Sequence, residues 1–253
     1  MLQHLQKTLA TTKRDALYVG LARNREEILE AQRLRHRVFV EELGARLSPR
    51  EPGIDRDYYD DFCDHLVVCD DDSGRILGTY RMMPPEAARR AGSYYSETEF
   101  NIDRLRHLRP RIVEIGRACI DPDYRNGSAI SLLWSGIMRY MLKNGHDYLM
   151  GCASIPMTDG GHNAAGIFLN LDAHMGPLEY RVFPNCPLPL DRLEPNPDAE
   201  IPALIHGYLR AGAYVCGQPA WDPDFNTADL LMLLPVNRIS PRYARHFVKR
   251  QAC

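Results

Sequence analysis

The run from Arg111 to Met141 limits the fold more than any other part of this chain. Arg111 to Ile120 is largely apolar and reads as a strand. Asp121 to Asn126 is a polar loop. Gly127 or Ser128 then opens a helix with apolar residues Ile130, Leu133, Trp134, Ile137, Met138 and Met141 at three- and four-residue steps. Gly145 stands where a C-cap glycine belongs, and Tyr148 to Ala153 is the next strand. A strand, a loop and an amphipathic helix bury their apolar faces by laying the helix on a sheet.

The flanking segments extend that sheet. Tyr18 to Leu21 is a short strand, and a helix from Asn24 runs to about Leu43, with Glu26 and Glu27 in its first turn and Gly44 as its stop. His65 to Cys69 and Arg75 to Met83 form a hairpin around Asp71-Asp72-Ser73-Gly74, ended by Pro84-Pro85. Beyond residue 153 the chain offers helices at about Asn163 to His174 and Ala199 to Ala211, and strands at Tyr214 to Cys216 and Leu230 to Leu234. Gly217 to Thr227 reads as a polar loop, and a terminal helix follows Ser240-Pro241. The order predicts an α+β fold, a mixed, mostly antiparallel sheet with helices on both faces. The 253 residues fit one domain, with about 177–253 completing the sheet.

Bulk properties exclude several roles. A net charge of −2 gives neither nucleic acid nor an anionic membrane a general foothold. No stretch approaches the roughly 20 apolar residues of a membrane span, and the opening MLQHLQKTLATTKRD has no apolar core of a secretory leader. The seven cysteines contain no CxxC pair and no Cys/His spacing of a zinc site, so reduced, mostly buried thiols in a cytoplasmic protein, without a metal, are expected.

Charges inside apolar runs are the candidate functional residues. Glu114 and Arg117 lie three apart in a strand, which a regular pleat would point to opposite faces; a bulge at Gly116 would bring them together. They serve either a site or an ion pair with a neighbour such as Arg81. The acidic, aromatic run Asp57-Tyr58-Tyr59-Asp60-Asp61-Phe62-Cys63-Asp64 either holds a cation or is a solvated turn. Arg33 and Arg37 share a helix face that meets an acidic partner or simply water. The loop through Arg125, Gly127, Ser128 and Ala129 presents backbone N–H groups at a helix start, a setting that binds phosphate. His65 and Asp70 have an H-x4-D spacing, but five residues along a strand separates their faces, and no G-x-S-x-G elbow is present; a covalent route has no support.

Arg35-His36-Arg37-Val38-Phe39, Tyr59-Asp60-Asp61-Phe62-Cys63-Asp64-His65-Leu66, Arg81 and Glu114-Ile115-Gly116-Arg117 together resemble the ornithine N-acyltransferases of bacterial ornithine-lipid synthesis. The likeness continues through Asn144 to Tyr148, Ser154, Gly207 to Arg210 and Pro223 to Thr227, spanning about 15–248. A more distant one is to acyl-homoserine-lactone synthases. Both imply the GNAT fold and an acyl carrier protein donor, and the degenerate loop Arg125-Asn126-Gly127-Ser128-Ala129 departs from acetyl-CoA enzymes.

The resemblance implies transfer of a 3-hydroxyacyl group to the α-amine of ornithine. No cofactor is implied beyond the donor's own phosphopantetheine, and membrane contact is implied only through the lipid product. It places Glu114 as base, with Arg117 beside it. Ile115, Gly116, Arg125, Gly127, Ser128 and Ala129 would meet the donor. Arg117 or Arg81 would grip the acceptor carboxylate, and Asp60, Asp61 or Asp64 its side-chain ammonium. Arg33 and Arg37 would face the carrier protein. Glycine or lysine as acceptor, a lactone synthase using S-adenosylmethionine, and a non-enzymatic carrier-binding protein are the alternatives.

Overall fold

The computed structural model describes residues 17–47 and 51–239. Its strands are β1 (Leu17–Leu21), β2 (Asp64–Asp70), β3 (Ile76–Met83), β4 (Phe100–Asn101), β5 (Ile112–Ile120), β6 (Tyr148–Pro156), β7 (Phe183–Pro184), β8 (Tyr214–Val215), β9 (Ala220–Asp222) and β10 (Thr227–Pro235). Its α-helices are α1 (Arg25–His36), α2 (Pro85–Ala91), α3 (Ser128–Asn144), α4 (His162–Leu169) and α5 (Ala203–Ala211). The main sheet runs β1-β2-β3-β5-β6-β10-β8, with β9 also on β10; β4 and β7 pair separately. Among the described residues its pairs are antiparallel except β5 with β6.

Alternation along the strands decides which helix covers which face. Leu66, Val68, Tyr80, Met82, Val113 and Ile115 pack with Leu133, Trp134, Ile137 and Met141 of α3. Val67, Cys69, Ile76 and Cys119 turn the other way onto Ala31 and Leu34 of α1 and the Val38 that follows it. The sheet is thus an α+β layer with helices on both sides.

The local signals hold where they are local. Asn24 caps α1, its side chain accepting from the Glu27 N–H, and α1 runs on as a π-turn over Arg37–Glu42. Gly127 and Gly145 bound α3 in the left-handed region, at φ +90° and +68°. Other boundaries shift. The predicted helix at Asn163 to His174 is α4 plus a 3-10 turn at Asp172–His174, and α5 starts only at Ala203 because Pro202 precedes it. The expected polar loop at Gly217 to Thr227 contains β9, and the terminal helix after Ser240 lies outside the described residues. No helix among the described residues is long and apolar enough to cross a membrane.

Candidate active site

The site begins where β5 and β6 part. They pair in parallel through Ile112↔Tyr148, Val113↔Leu149 and Glu114↔Met150 and then separate. Beyond that point β5 stays with β3 and β6 stays with β10. The result is a wedge-shaped cavity of about 220 Å³ lined by Gly116, Ala118, Cys152, Ser154, Tyr208 and Asp229 among others. Unpaired strand edges present backbone N–H groups there, the kind of donor an oxyanion needs.

Arg117 shapes the wedge. The bulge expected at Gly116 sits one residue on. Gly116 faces Arg81 and Cys119 faces Thr79, so Arg117 and Ala118 share the single place opposite Tyr80. Arg117 takes φ +50°, a conformation that L-residues resist. Stacking holds it there: its guanidinium lies 4.9 Å from the Tyr95 ring centre and 4.5 Å from that of Phe225.

Three arginines and three aspartates close a ring beside it. Arg35 donates to Asp55 Oδ2 at 2.8 Å and to Asp60 Oδ1 and Oδ2 at 2.6 and 3.0 Å. Arg81 donates to Asp60 Oδ2 at 3.0 Å and to Asp57 Oδ1 at 2.6 Å. Arg117 donates to Asp57 Oδ2 at 3.0 Å, and its Nε lies 3.5 Å from Asp55. Burial alone would raise the Asp60 carboxyl, but Arg35 and Arg81 outweigh it and hold the group well below the ordinary carboxylate range.

This ring corrects the expected acceptor residues. Asp60 is buried and committed to Arg35, Arg81 and Gln32, so it has no oxygen left for a substrate. Asp61 is exposed and pairs with Arg56. Asp64 accepts from Tyr140 of α3, at 2.7 Å. Arg81 spends its charge on Asp57 and Asp60. The acids that do face open space are Asp55, Asp57, Glu99, Asp222 and Asp224, around a cavity of about 500 Å³ with Tyr59, Tyr95, Trp221 and Phe225 in its wall. Arg117 and Asp222 line this cavity and the wedge alike.

Glu114 also lines the wedge, but both its oxygens are taken. Oε2 accepts from the Tyr95 N–H at 2.7 Å, and Oε1 from the Ser96 N–H at 2.7 Å and the Ser96 hydroxyl. Burial pushes its pKa up and these donors oppose it, with burial the stronger. The expected ion pair with Arg81 is replaced by this anchoring of the 3-10 turn Tyr95–Thr98, which carries the ring stacked on Arg117. Glu114→Gln places an amide donor against those N–H groups. A thermal melt should show a loss of about 1–3 kcal/mol, the cost of stranding a buried donor.

The donor residues divide. Ile115 and Gly116 are at the wedge. Arg125 and Gly127 line a third cavity of about 570 Å³ between α3 and α5, with Trp134, Leu204, Gly207 and Arg210. Arg125 is bidentate to Glu42, at 2.5 and 2.7 Å. The Ser128 N–H is taken by Asn126 Oδ1, and Ala129 is buried; the first-turn N–H groups of Ala129 and Ile130 have no acceptor within a helix. Arg33 pairs with Glu26 and Glu30 of its own helix, which neutralises the basic face expected there, while Arg37 is exposed.

Sequence reasoning missed a second group of acids. Glu99, Cys152 and Asp229 bring ligand-type atoms within 4.8 Å of one another. Burial and the nearby carboxyls push the Cys152 thiol well up, so it offers a neutral S–H rather than a thiolate to any cation. The only sequence signal was Asp229 abutting the apolar run Leu230 to Leu234.

The sheet opens between two parallel neighbours, with a helix start beside the opening. The family model described as Acetyltransferase (GNAT) domain matches residues 34–135. An acyl-homoserine lactone synthase solved with SAM and isopentyl-CoA superposes with a TM-score of 0.53 at 19% identity, covering 92% of this chain and 88% of its own; this likeness concerns the fold alone. An L-ornithine N(alpha)-acyltransferase of Rhizobium meliloti is 37% identical over 96% of this chain and 90% of its own length. One of Agrobacterium fabrum is 38% identical over 91% and 85%. The chain belongs to the L-ornithine N(alpha)-acyltransferase family.

Proposed function

We propose that this enzyme moves a 3-hydroxyacyl group from acyl carrier protein to the α-amine of ornithine, giving lyso-ornithine lipid. The observation that carries this reading is an acid-lined cavity of about 500 Å³ that shares Arg117 and Asp222 with the strand wedge. A cationic amino acid in the first then lies beside a thioester in the second. Kinship with relatives named for ornithine acylation supports the acceptor.

The donor's pantetheine arm lies in the cavity between α3 and α5, with its phosphate near the α3 start and Arg125 or Arg210. Its thioester carbonyl points into the wedge, where backbone N–H groups meet the oxyanion. Arg117, which lines both cavities, holds the acceptor carboxylate. Asp222 and Asp224, which lie outside the arginine ring, face the side-chain ammonium. Arg37 is the remaining candidate for carrier contact. The protein acts from the water side, touching a membrane through its product.

Arg125→Ala is expected to raise KM for the acyl carrier protein donor about tenfold, the worth of one charge-assisted hydrogen bond. Its kcat should stay within about twofold, and the melt should shift little, because the Glu42 pair is exposed and worth only ~0.2–1 kcal/mol. Unchanged donor KM would remove the phosphate from this cavity. The reading as a whole is tested by following thiol release from 3-hydroxyacyl carrier protein with a panel of amino acids. Release that needs ornithine supports it. Release with another amine changes the acceptor. Carrier binding without release supports a non-enzymatic role.

A further inference from the structure

We propose that Glu99 and Asp229 form the proton acceptor for the incoming amine. This rests on the acyl-transfer reading and names the base that reading lacks. Asp229, on β10, is 4% exposed, lines the wedge, and has no hydrogen-bond partner at Oδ1. Glu99, at the end of the Tyr95–Thr98 turn, lines the acid cavity, and its carboxyl meets Asp229 and the Cys152 thiol. Two carboxyls this close and this dry cannot both ionise; they satisfy each other by sharing a proton.

Each acid faces one of the two cavities, and Asp222 of β9 faces both. An amine bound in the acid cavity and bonding to a carbon in the wedge therefore passes the pair. Burial, with Asp229 and Asp222 nearby, raises Glu99 to about 9, and burial raises Asp229 as well. The pair therefore keeps one proton at neutral pH and presents one ionised carboxylate to the ammonium. The other charged or titratable groups around the pair are Asp222, the Cys152 thiol, Glu114, Tyr95 and Arg117. Glu114, by contrast, has both oxygens occupied.

The step balances. The pair, holding one proton, takes a second from the substrate ammonium. The freed nitrogen bonds to the thioester carbon. As the carbon–sulfur bond breaks, the nitrogen's surplus proton leaves with the sulfur as thiol. The pair then returns its extra proton to water.

Glu99→Gln combined with Asp229→Asn keeps the shape of the pair but removes both carboxyls that could take the proton. Turnover with 3-hydroxyacyl carrier protein and ornithine should fall at least about 100-fold, with KM for ornithine within about threefold. The residual rate should climb about tenfold per pH unit toward pH ~9, as free amine forms unaided. Either single change leaves one ionisable carboxyl and should cost less than the double variant. Melting separates folding from chemistry. The raised Glu99 pKa means its stabilisation is full below about pH 4 and is lost as pH rises through about 9. The Gln variant should therefore melt higher than the parent at pH 8–9. Turnover unchanged in the double variant, or a rise in ornithine KM with unchanged kcat, would overturn the proposal. If the parent acylates another amine, the same tests apply with that amine. If it acylates none, the acyl-transfer reading falls and takes this proposal with it.

Discussion

Replacing Asp60 with alanine should destabilise the protein by about 3–5 kcal/mol, the cost of breaking a buried ion pair from one side. Asp60 is the only acid in the ring that bridges Arg35 and Arg81. Without it two buried guanidiniums face each other across a void, Arg35 keeping only Asp55 and Arg81 only Asp57. Denaturant or thermal unfolding reads the loss directly. The same residue sets acid sensitivity. Its folded pKa is depressed, so its contribution is complete above the unfolded carboxylate value, about 3.9, and drains away as pH falls below it. The parent should lose melting temperature below about pH 4, and Asp60→Asn should lose less over that range. A variant as stable as the parent would show that the ring contributes no net stability.

Gly151→Ala should cut turnover on the order of 100-fold while leaving a folded protein. Gly151 sits one residue past the last β5–β6 pair, where an added Cβ would lie 2.2 Å from the Ile115 carbonyl oxygen. A backbone atom cannot swing aside, so the strands must part further, at a strain of about 1–3 kcal/mol. On the proposed function the thioester aligns in the wedge, so a shift there is read mainly in kcat. Parent-like turnover would mean that the alignment of β5 against β6 does not matter to transfer.

How much was legible follows from how local each signal is. The hairpin of β2 and β3, the loop into α3 and the glycines at its ends could be read because turn and cap chemistry lie within a few residues. Glu114 and Arg117 were visible as charges in an apolar strand. Their partners were not, because Asp55, Asp57 and the Tyr95 turn come from distant parts of the chain. The sequence points to a bulge at Gly116, which would bring Glu114 and Arg117 together. Stacking between Tyr95 and Phe225 lets Arg117 take the strained conformation instead. The acidic run was read as substrate-facing, yet Asp60 turns inward to Arg35, a residue whose full burial no helix pattern announces. Glu99 and Asp229 meet only through the tertiary fold, and neither lies in a motif that sequence could single out.

The central claim is transfer to the α-amine of ornithine, and product analysis tests it most directly. Purified protein incubated with 3-hydroxyacyl carrier protein and ornithine should yield one ornithine carrying one acyl chain. Fragmentation in a mass spectrometer should place that chain on the α-nitrogen, with the side-chain amine free. An acyl group on the side-chain nitrogen, or on no amino acid at all, would contradict the account.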